Sequence, residues 1–437
     1  MGALGDAARK RARPAIVKGG KRPPAYADAA TDNEVGWRNG LVYNVKDKAL
    51  KATTGNAALL LTHSPGWKGV VGYDEMHERP VFLEQPPRLP GFQAASPGPI
   101  EDHHTAMISQ HLLIEGGMAT CSDYMTISAV YTAARQRPFH PVRNYLDDLE
   151  WDGEHRVDDW LVKYLGAADT LLHREVGKRW VISAVARIYQ PGCKADHMLV
   201  LEGGQGVGKS SALATMAVRD EWFRDSLESL DKKDARIALR GSWIIEMAEL
   251  DAMNRSEHSA AKAFLSTKTD RYRLPYGRLE QEVPRRCVFA GSTNDHQWLR
   301  DGTGNRRYWP VEIPGRIDIQ RLAADRDQIW AEAVALFRRG EFWHIEDEDV
   351  VAAATEAQDE RTVADPWEDT IADFLPALLA QAGETGVTTA AILARLGVEG
   401  ERQTKRDQMR VGAVLARLGW RKTRSYGRQR YWVEIGN

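Results

Sequence analysis

One eight-residue motif constrains the fold of this chain more than any other feature of its sequence. Residues 203–210 read Gly-Gly-Gln-Gly-Val-Gly-Lys-Ser, which fits the phosphate-binding pattern G-x-x-x-x-G-K-[ST]. The apolar run 197–201 precedes the motif, and the helix-like segment 210–218 follows it. A strand, a glycine-rich turn and a helix in this order are typical of an α/β core that binds a nucleotide.

The chemistry of this loop follows from its residue types. Glycines let backbone N–H groups close around phosphate oxygens, and the helix N-terminus adds partial positive charge. We expect Lys209 to reach the β- and γ-phosphates of ATP and the Ser210 hydroxyl to bind Mg²⁺. The predicted nucleotide contacts are Gly203, Gly204, Gln205, Gly206, Val207, Gly208, Lys209, Ser210 and Ser211.

Hydrolysis of ATP also needs an acid on a neighbouring strand, and the segment 243–249 (WIIEMAE) offers two. Glu246 and Glu249 differ by an odd number, so on a regular strand they face opposite sides and only one points into the site. Glu249 stands where the strand should end, which is where catalytic groups collect in open parallel sheets. We favour Glu249 slightly and keep Glu246 as the second candidate, both for catalysis and for holding Mg²⁺.

Two further segments carry candidate catalytic residues. The apolar strand 287–290 runs into Gly-Ser-Thr-Asn, and Asn294 at that tip is suited to orient the attacking water against the γ-phosphate. Farther along, Arg306 and Arg307 follow a glycine turn and precede a strand. One of them could project across a subunit boundary as an arginine finger; a structural ion pair is the alternative reading.

A basic segment between the acidic strand and the Asn294 strand mixes cations with aromatic residues. This composition suits a hairpin that grips single-stranded DNA and stacks its bases, although a solvated basic hairpin has the same composition. The candidate DNA contacts here are Lys262, Lys268, Arg271, Arg273 and Arg278.

The C-terminal residues predict a second DNA-binding unit. From residue 365 the pattern reads three helices followed by two strands, which suggests a winged helix. Its basic residues lie on the expected recognition helix and wing; a protein-interaction module with a basic edge remains the alternative. The candidate phosphate contacts are Lys405, Arg406, Arg410, Arg421, Lys422, Arg424, Arg428 and Arg430.

Composition narrows the class of protein. Of the 437 residues, 43% are hydrophobic and 27% charged, which excludes a mainly disordered or collagen-like chain. Three widely spaced cysteines exclude a disulfide scaffold and indicate a reducing cytoplasm. No apolar run approaches the ~18 residues that would predict a membrane span.

These motifs, in this order and spacing, resemble the virulence-associated protein E family of phage and mobile-element ATPases. The resemblance is strongest over residues 135–315, which include HPVRNYLDDLEWDG and PGCKAD upstream of the loop. The family is similar to superfamily 3 helicases, AAA-type ATPases that form rings, commonly hexamers, and translocate on DNA. The resemblance implies nucleotide motifs at 203–210 and 246–249, a sensor at Asn294, a finger at Arg306 or Arg307, and a DNA hairpin within 262–278.

We therefore expect an α/β protein with a P-loop AAA-type ATPase core, a mainly helical N-terminal domain and a C-terminal winged helix. The expected divisions are a basic disordered arm at 1–35, an N-terminal domain and possible oligomerisation collar at 36–165, the ATPase at 166–345, a linker at 346–364 and the winged helix at 365–437. Many relatives carry an N-terminal primase-polymerase domain. About 135 residues precede the core here without an Asp-x-Asp signature, so no primase activity is expected.

The predicted function is an ATP-driven DNA helicase or translocase in phage or prophage replication, acting on single- and double-stranded DNA. Predicted partners are further copies of the chain in a hexameric ring and other replication proteins, with no membrane. Other readings stay open: a nucleotide-switched scaffold or regulator that binds DNA without unwinding it, or a ring that binds a protein partner of the host. Slow hydrolysis without strand displacement would favour the scaffold, and an ATPase indifferent to DNA would favour the protein partner.

Overall fold

A computed structural model describes most of the chain. The residues it describes are 36–46, 48–114, 116–227, 230, 233–273, 279–300, 304–382, 386–425 and 429–434. The predicted N-terminal arm, 1–35, lies outside these residues, as do Arg278 and Arg428. None of the described helices is both long and apolar enough to span a membrane.

The first unit of the described chain is a small sheet covered by helices. Its elements are α1 (Thr54–His63), β1 (Val71–Asp74), β2 (Arg79–Phe82), β3 (Gly98–Pro99), α2 (Asp102–Ile114), α3 (Asp123–Ala134) and β4 (Pro138–Phe139). The sheet has the order β3-β2-β1-β4, and β1 and β2 pair as an antiparallel hairpin. Helices α1 and α3 pack against each other over a separate apolar core.

Helices lead from this unit into a larger α/β core. Three helices come first: α4 (Pro141–Asp148), α5 (Trp160–Leu165) and α6 (Leu171–Tyr189). The core elements are β5 (Met198–Glu202), α7 (Lys209–Met216), β6 (Phe223–Arg224), α8 (Lys233–Ala238), β7 (Ile244–Met247), α9 (Arg255–Leu265), β8 (Thr269–Tyr272), β9 (Gln281–Pro284), β10 (Val288–Thr293), β11 (Tyr308–Glu312), α10 (Ile319–Arg338) and α11 (Glu348–Glu360).

The central sheet of the core is parallel throughout, with the strand order β11-β5-β10-β7-β6. Strands β5, β7 and β10 are buried along their whole length, which explains why the sequence shows continuous apolar runs rather than alternation. Strand β10 lies between β5 and β7. The carboxyl ends of these three strands therefore lie side by side at one edge of the sheet.

Buried tryptophans fix the helices to this sheet. The Trp180 indole N–H, on α6, donates to the Phe289 carbonyl of β10 at 2.9 Å. Trp243 directly precedes β7, and its ring lies 4.3 Å from the ring of Trp330 on α10. Large aromatic side chains with satisfied N–H groups bury much apolar area at low polar cost, so these contacts hold the sheet rigid beneath the site.

Two segments differ in detail from the sequence expectation. Strand β10 extends to Thr293, so Gly291, Ser292 and Thr293 belong to the strand rather than to a turn after Ala290. Helix α11 occupies most of the segment 346–364, and it packs on β11 with Gln358 donating to the Tyr308 carbonyl at 2.8 Å. The described part of the basic segment forms the antiparallel pair β8 and β9.

The last unit contains three helices and a small antiparallel sheet. Its elements are α12 (Glu368–Ala382), β12 (Val387–Thr388), α13 (Thr389–Arg395), α14 (Lys405–Arg417), β13 (Trp420–Ser425) and β14 (Gln429–Glu434). The sheet order is β12-β14-β13, and the unit has its own apolar core. Helix α14 begins with a capping box between Thr404 and Asp407.

Candidate nucleotide-binding site

The loop between β5 and α7 takes a backbone course that requires glycine. Gly206 and Gly208 have φ values of +79° and +103°, which side-chain-bearing residues rarely adopt. A Cβ atom at Gly203 would lie 2.5 Å from the Ile313 carbonyl oxygen. Gln205 at the tip is exposed, and Val207 accepts a backbone hydrogen bond from Ile317 at 2.9 Å. The glycines thus shape a tight loop in front of the α7 N-terminus.

Lys209 opens α7, and its side chain turns back across the loop. Its ammonium donates to the carbonyl oxygens of Gly203 and Gly204, at 2.6 and 2.9 Å, and to Asn294 Oδ1 at 3.0 Å. Burial lowers the pKa of Lys209, while the carboxylates of Glu246 and Asp251 favour its charged form. The ammonium therefore lies where the loop, the β10 tip and two acids meet.

Glu246 on β7 is the acid that faces the loop. Its Oε1 accepts hydrogen bonds from Ser210 Oγ at 2.7 Å and from Ser292 Oγ at 2.6 Å. The side chain is fully buried, and its Oε2 accepts no hydrogen bond from the described part of the chain. A serine hydroxyl beside a carboxylate with one unpartnered oxygen is a donor set that suits Mg²⁺. Ser210 and Glu246 are therefore the residues that fit this ion.

Glu249 occupies a different setting. Strand β7 ends at Met247, and Glu249 is an exposed residue with a left-handed backbone, φ +53°, at the start of a short 3₁₀ helix over Leu250–Ala252. Glu246 is thus the acid that points from the strand towards the loop, where it contacts Ser210, and the predicted catalytic role of Glu249 stays a prediction. Glu249 lies beyond the strand, so the alternation of strand side chains does not apply to it.

Three residues of this constellation were not singled out from the sequence. Ser292 holds Glu246, as described above, and Thr293 Oγ1 donates to Asp251 Oδ1 at 2.8 Å. Ser292 and Thr293 sit on β10 just before Asn294, and Asp251 follows Glu249 by two residues. Their position next to recognised motifs was the available signal. Small hydroxyl residues and a post-strand acid are too common to be selected on that signal alone.

Arg306 and Arg307 differ in their exposure and in the hydrogen bonds that they make within the chain. Arg307 is pinned to its own chain, since its guanidinium donates to Ser266 Oγ at 2.9 Å and to the Gly304 carbonyl at 3.2 Å. The Arg306 side chain is 67% exposed, and the structure places it 3.4 Å from Asp196. Of the two arginines, Arg306 is the one placed to reach a neighbouring molecule.

The basic residues of the predicted DNA hairpin do not form one surface. Lys262 lies on α9, not in the hairpin, and it is buried with its ammonium 2.8 Å from Asn305 Oδ1, which corrects the expectation of a DNA-facing lysine. Lys268 and Arg273 are exposed. Arg271 is exposed on β8, where it forms an ion pair with Glu282 of β9 at 2.8 Å.

The basic residues of the C-terminal unit also divide into two groups. Lys405 and Arg406, in the first turn of α14, are exposed, as are Arg421 and Lys422 at the start of β13. Arg410 is engaged within the chain, as described below. Two further predicted contacts fall on strands for which only the backbone is described: Arg424 and Arg430.

The comparisons with known proteins bear on this site. An apo structure of the NrS-1 C-terminal region is 13% identical, covers 87% of this chain and 98% of its own, and has a TM-score of 0.45. A second, A-form apo structure of that region is 12% identical, covers 87% and 99%, and has a TM-score of 0.47. No curated protein matches the chain. The model of the virulence-associated protein E-like domain matches residues 146–363, which contain the whole constellation. Through this domain, the chain belongs to the virulence-associated protein E-like family.

Proposed function

We propose that this protein is an ATP-dependent DNA helicase or translocase of phage or prophage replication that works as a ring, in the simplest case a hexamer. The observation that carries the proposal is the convergence of Lys209, Ser210, Glu246 and Asn294 at one edge of a parallel sheet. The family resemblance, to ATPases of phages and mobile elements, supports the replication setting.

The geometry suggests how the phosphates are held. Backbone N–H groups of the loop and the α7 N-terminus would bind them, and Lys209 would exchange its hydrogen bonds with the Gly203 and Gly204 carbonyls for phosphate oxygens. Ser210 and Glu246 would hold Mg²⁺, which supplies charge neutralisation at the phosphates. Asn294 already touches the Lys209 ammonium, so it would report the presence of the terminal phosphate.

Two groups remain for the hydrolytic step itself. Glu249 is an exposed carboxylate near this edge of the sheet, and we assign it the role of accepting a proton from the attacking water. Arg306 is largely exposed, and it would exchange its ion pair with Asp196 for the phosphoryl group bound to a neighbouring subunit. The site of one chain would then be complete only in an assembly.

The finer description of the fold belongs to the same proposal. We assign the core to the AAA type because β10, which leads into Asn294, separates the loop strand β5 from the acidic strand β7. We assign the last unit as a winged helix because its order is helix, strand, two helices and two strands. Lys405 and Arg406 on α14, with Arg421 and Lys422 on β13, would contact DNA phosphates.

Strand displacement from a forked DNA duplex tests this function. The wild-type protein should separate the strands when ATP and Mg²⁺ are present, and Lys209→Ala should not. Hydrolysis that proceeds without any separation, or with DNA held in place, would favour the nucleotide-switched scaffold instead. A non-hydrolysable ATP analogue is the control: strand separation by the wild type should stop when the analogue replaces ATP, even though DNA stays bound.

A further inference from the structure

A basic cleft separates the nucleotide-binding core from the C-terminal unit. Its volume is about 440 Å³, within the range of ligand sites. Two aspartates, Asp365 and Asp407, contribute negative charge to its lining. The rest of its charged lining consists of five arginines: Arg255, Arg300, Arg406, Arg410 and Arg417.

We propose that this cleft is a second DNA contact, which binds the phosphate backbone between the core and α14. The proposal rests on the proposed function for the identity of the partner. It adds Arg255, Arg300 and Arg417, none of which belongs to the basic hairpin or to the candidate recognition surface. Arginine is the side chain best suited to bind phosphate through paired N–H groups.

The core wall of the cleft is connected to the nucleotide site. Arg300 is exposed, and its guanidinium donates to the Asp251 carbonyl oxygen at 3.2 Å. The Asp251 carboxylate in turn accepts from Thr293 at the end of β10. Arg255 opens α9, three residues after the 3₁₀ helix that follows Glu249. A phosphate bound to this wall would therefore touch residues that lead directly to the catalytic edge of the sheet.

The opposite wall shows how the cleft keeps its arginines in place. Arg410 forms a two-pronged ion pair with Asp365, with N–O distances of 2.8 to 3.0 Å, and it stacks 3.8 Å from the Trp367 ring. Arg417 pairs with Glu368 at 3.1 Å. Arg406, one turn before Arg410 on α14, is exposed and faces the same cleft. The ion pairs hold Arg410 and Arg417 in place on this wall, and the exposed Arg406 is the arginine that would bind a ligand.

The excess of positive charge in the cleft favours a polyanion as its ligand. Arginines on facing walls repel one another, and the three acids at the cleft, Asp365, Asp407 and Glu368, do not offset its five arginines. A polyanion that lies between the walls would remove that repulsion. A DNA backbone, with one negative charge per nucleotide, can run continuously from the core to the exposed residues of α14. An acidic peptide is the other polyanion to be tested.

The walls are also joined by backbone. Leu299, next to Arg300, donates to the Arg361 carbonyl at 3.0 Å and accepts from the Val363 N–H at 2.8 Å. This short parallel bridge attaches the segment that leads into the C-terminal unit to the residue beside Arg300. The width of the cleft is thereby held by hydrogen bonds rather than by a free linker.

The test is the salt dependence of DNA binding by the full chain without nucleotide. A single-stranded oligonucleotide is titrated at several salt concentrations with wild type, with Arg255→Ala/Arg300→Ala, and with Arg174→Ala/Arg219→Ala. The last variant removes the half-exposed Arg174 and the exposed Arg219, which both lie outside the cleft lining. We expect the cleft variant to lower the slope of log K against log salt by roughly 0.7 for each lost phosphate contact. The control should keep the wild-type slope.

Three further measurements make the result decisive. Arg255→Lys/Arg300→Lys keeps both charges and should retain the wild-type slope. Thermal unfolding should show that all variants remain folded, because Arg255, Arg300 and Arg219 are exposed and Arg174 is half-exposed. Polyglutamate replaces DNA in a parallel titration.

Equal slopes for the cleft variant and the control would overturn the proposal, and so would weakened polyglutamate binding with unchanged DNA binding. Since no nucleotide is present, a failure of ATP hydrolysis would not affect either outcome.

Discussion

Glu249 is held in a backbone conformation that disfavours its own residue type. Its φ of +53° places it in the left-handed region, which for residues other than glycine costs about 1 kcal/mol or more. Its side chain is exposed, so packing does not offset this cost. Strain of this kind is typical of residues whose side chain has a function.

Glu249→Gly should therefore separate stability from activity. We expect the free energy of unfolding to rise by roughly 0.5–1 kcal/mol, because glycine adopts this backbone without strain. ATP hydrolysis should fall by about 10²-fold or more, as for loss of a general base. Chemical unfolding and steady-state ATPase assays measure the two effects.

Glu249→Gln is the matched control for that variant. It retains the backbone strain, so its stability should equal that of the wild type, while its hydrolysis should fall to the level of Glu249→Gly. Full activity in both variants would show that Glu249 does not serve the reaction.

The sequence predicts most of the residues at the site but not which role each of them has. Lys209 and Asn294 are identified by motif, and their contact is found at 3.0 Å. The choice between Glu246 and Glu249 depends on the residue at which β7 ends, and the apolar run does not mark that residue. Likewise Ser292 becomes recognisable only when β10 is seen to continue to Thr293 beside Glu246.

At the scale of elements, the loop between β5 and α7 offers a matched pair of glycines. A methyl group on Gly203 would meet the Ile313 carbonyl at 2.5 Å, whereas one on Gly204 would meet nothing closer than Val207 at 3.8 Å. We expect Gly203→Ala to lower the free energy of unfolding by about 1–3 kcal/mol, because the clash is with backbone. Gly204→Ala should change it by less than about 0.5 kcal/mol.

Urea unfolding of the two alanine variants checks this prediction. Equal stability of the two would mean that β11 and the segment after it do not confine the loop as closely as the structure indicates.

The residue that precedes β5 makes the core sensitive to acid. His197 is buried and stacks on the Trp309 ring at 3.8 Å, and burial, with Arg187 nearby, lowers its pKa to about 3. In the unfolded chain a histidine binds a proton near pH 6.5, so this group stabilises the fold fully above pH 6.5. That contribution is lost as the pH falls from 6.5 towards 3. His140, whose pKa burial also lowers to about 3, acts in the same direction.

His197→Phe keeps the ring stacking and removes the titrating group. The free energy of unfolding of this variant should fall less steeply between pH 6 and 4.5 than that of the wild type, by about 1.4 kcal/mol per pH unit. Urea unfolding over that pH range measures the slope, and His103→Phe at an exposed position is the control for the change of residue type. Parallel curves for His197→Phe and wild type would contradict the prediction.

The elements themselves follow from the sequence, but their arrangement in the sheet does not. Continuous apolar runs predict β5, β7 and β10, and the glycine-rich motif predicts the turn into α7. Parallel strands are joined by crossovers, so the neighbour of each strand depends on packing between distant segments such as Trp243 and Trp330. For the same reason the sequence suggests only a linker at 346–364, whereas helix α11 forms there and packs on β11.

At the scale of the whole molecule, the exposed Arg306 predicts that each site is shared between two subunits. Lys209→Ala removes the loop lysine, and Arg306→Ala removes the proposed finger, so each variant alone should hydrolyse ATP poorly. Mixed in equal amounts, they should recover up to about a quarter of the wild-type rate, since one interface in four combines an intact loop with an intact arginine. A mixture no more active than its components would place the finger within one subunit.

The central claim is that ATP hydrolysis at this site drives movement on DNA. Its most direct test is the rate of ATP hydrolysis by the wild type and by Lys209→Ala, each with and without single-stranded DNA. The account predicts strong stimulation of the wild type by DNA and loss of hydrolysis in the variant under both conditions. A wild-type rate that is the same with and without DNA, or hydrolysis that survives in Lys209→Ala, would contradict it.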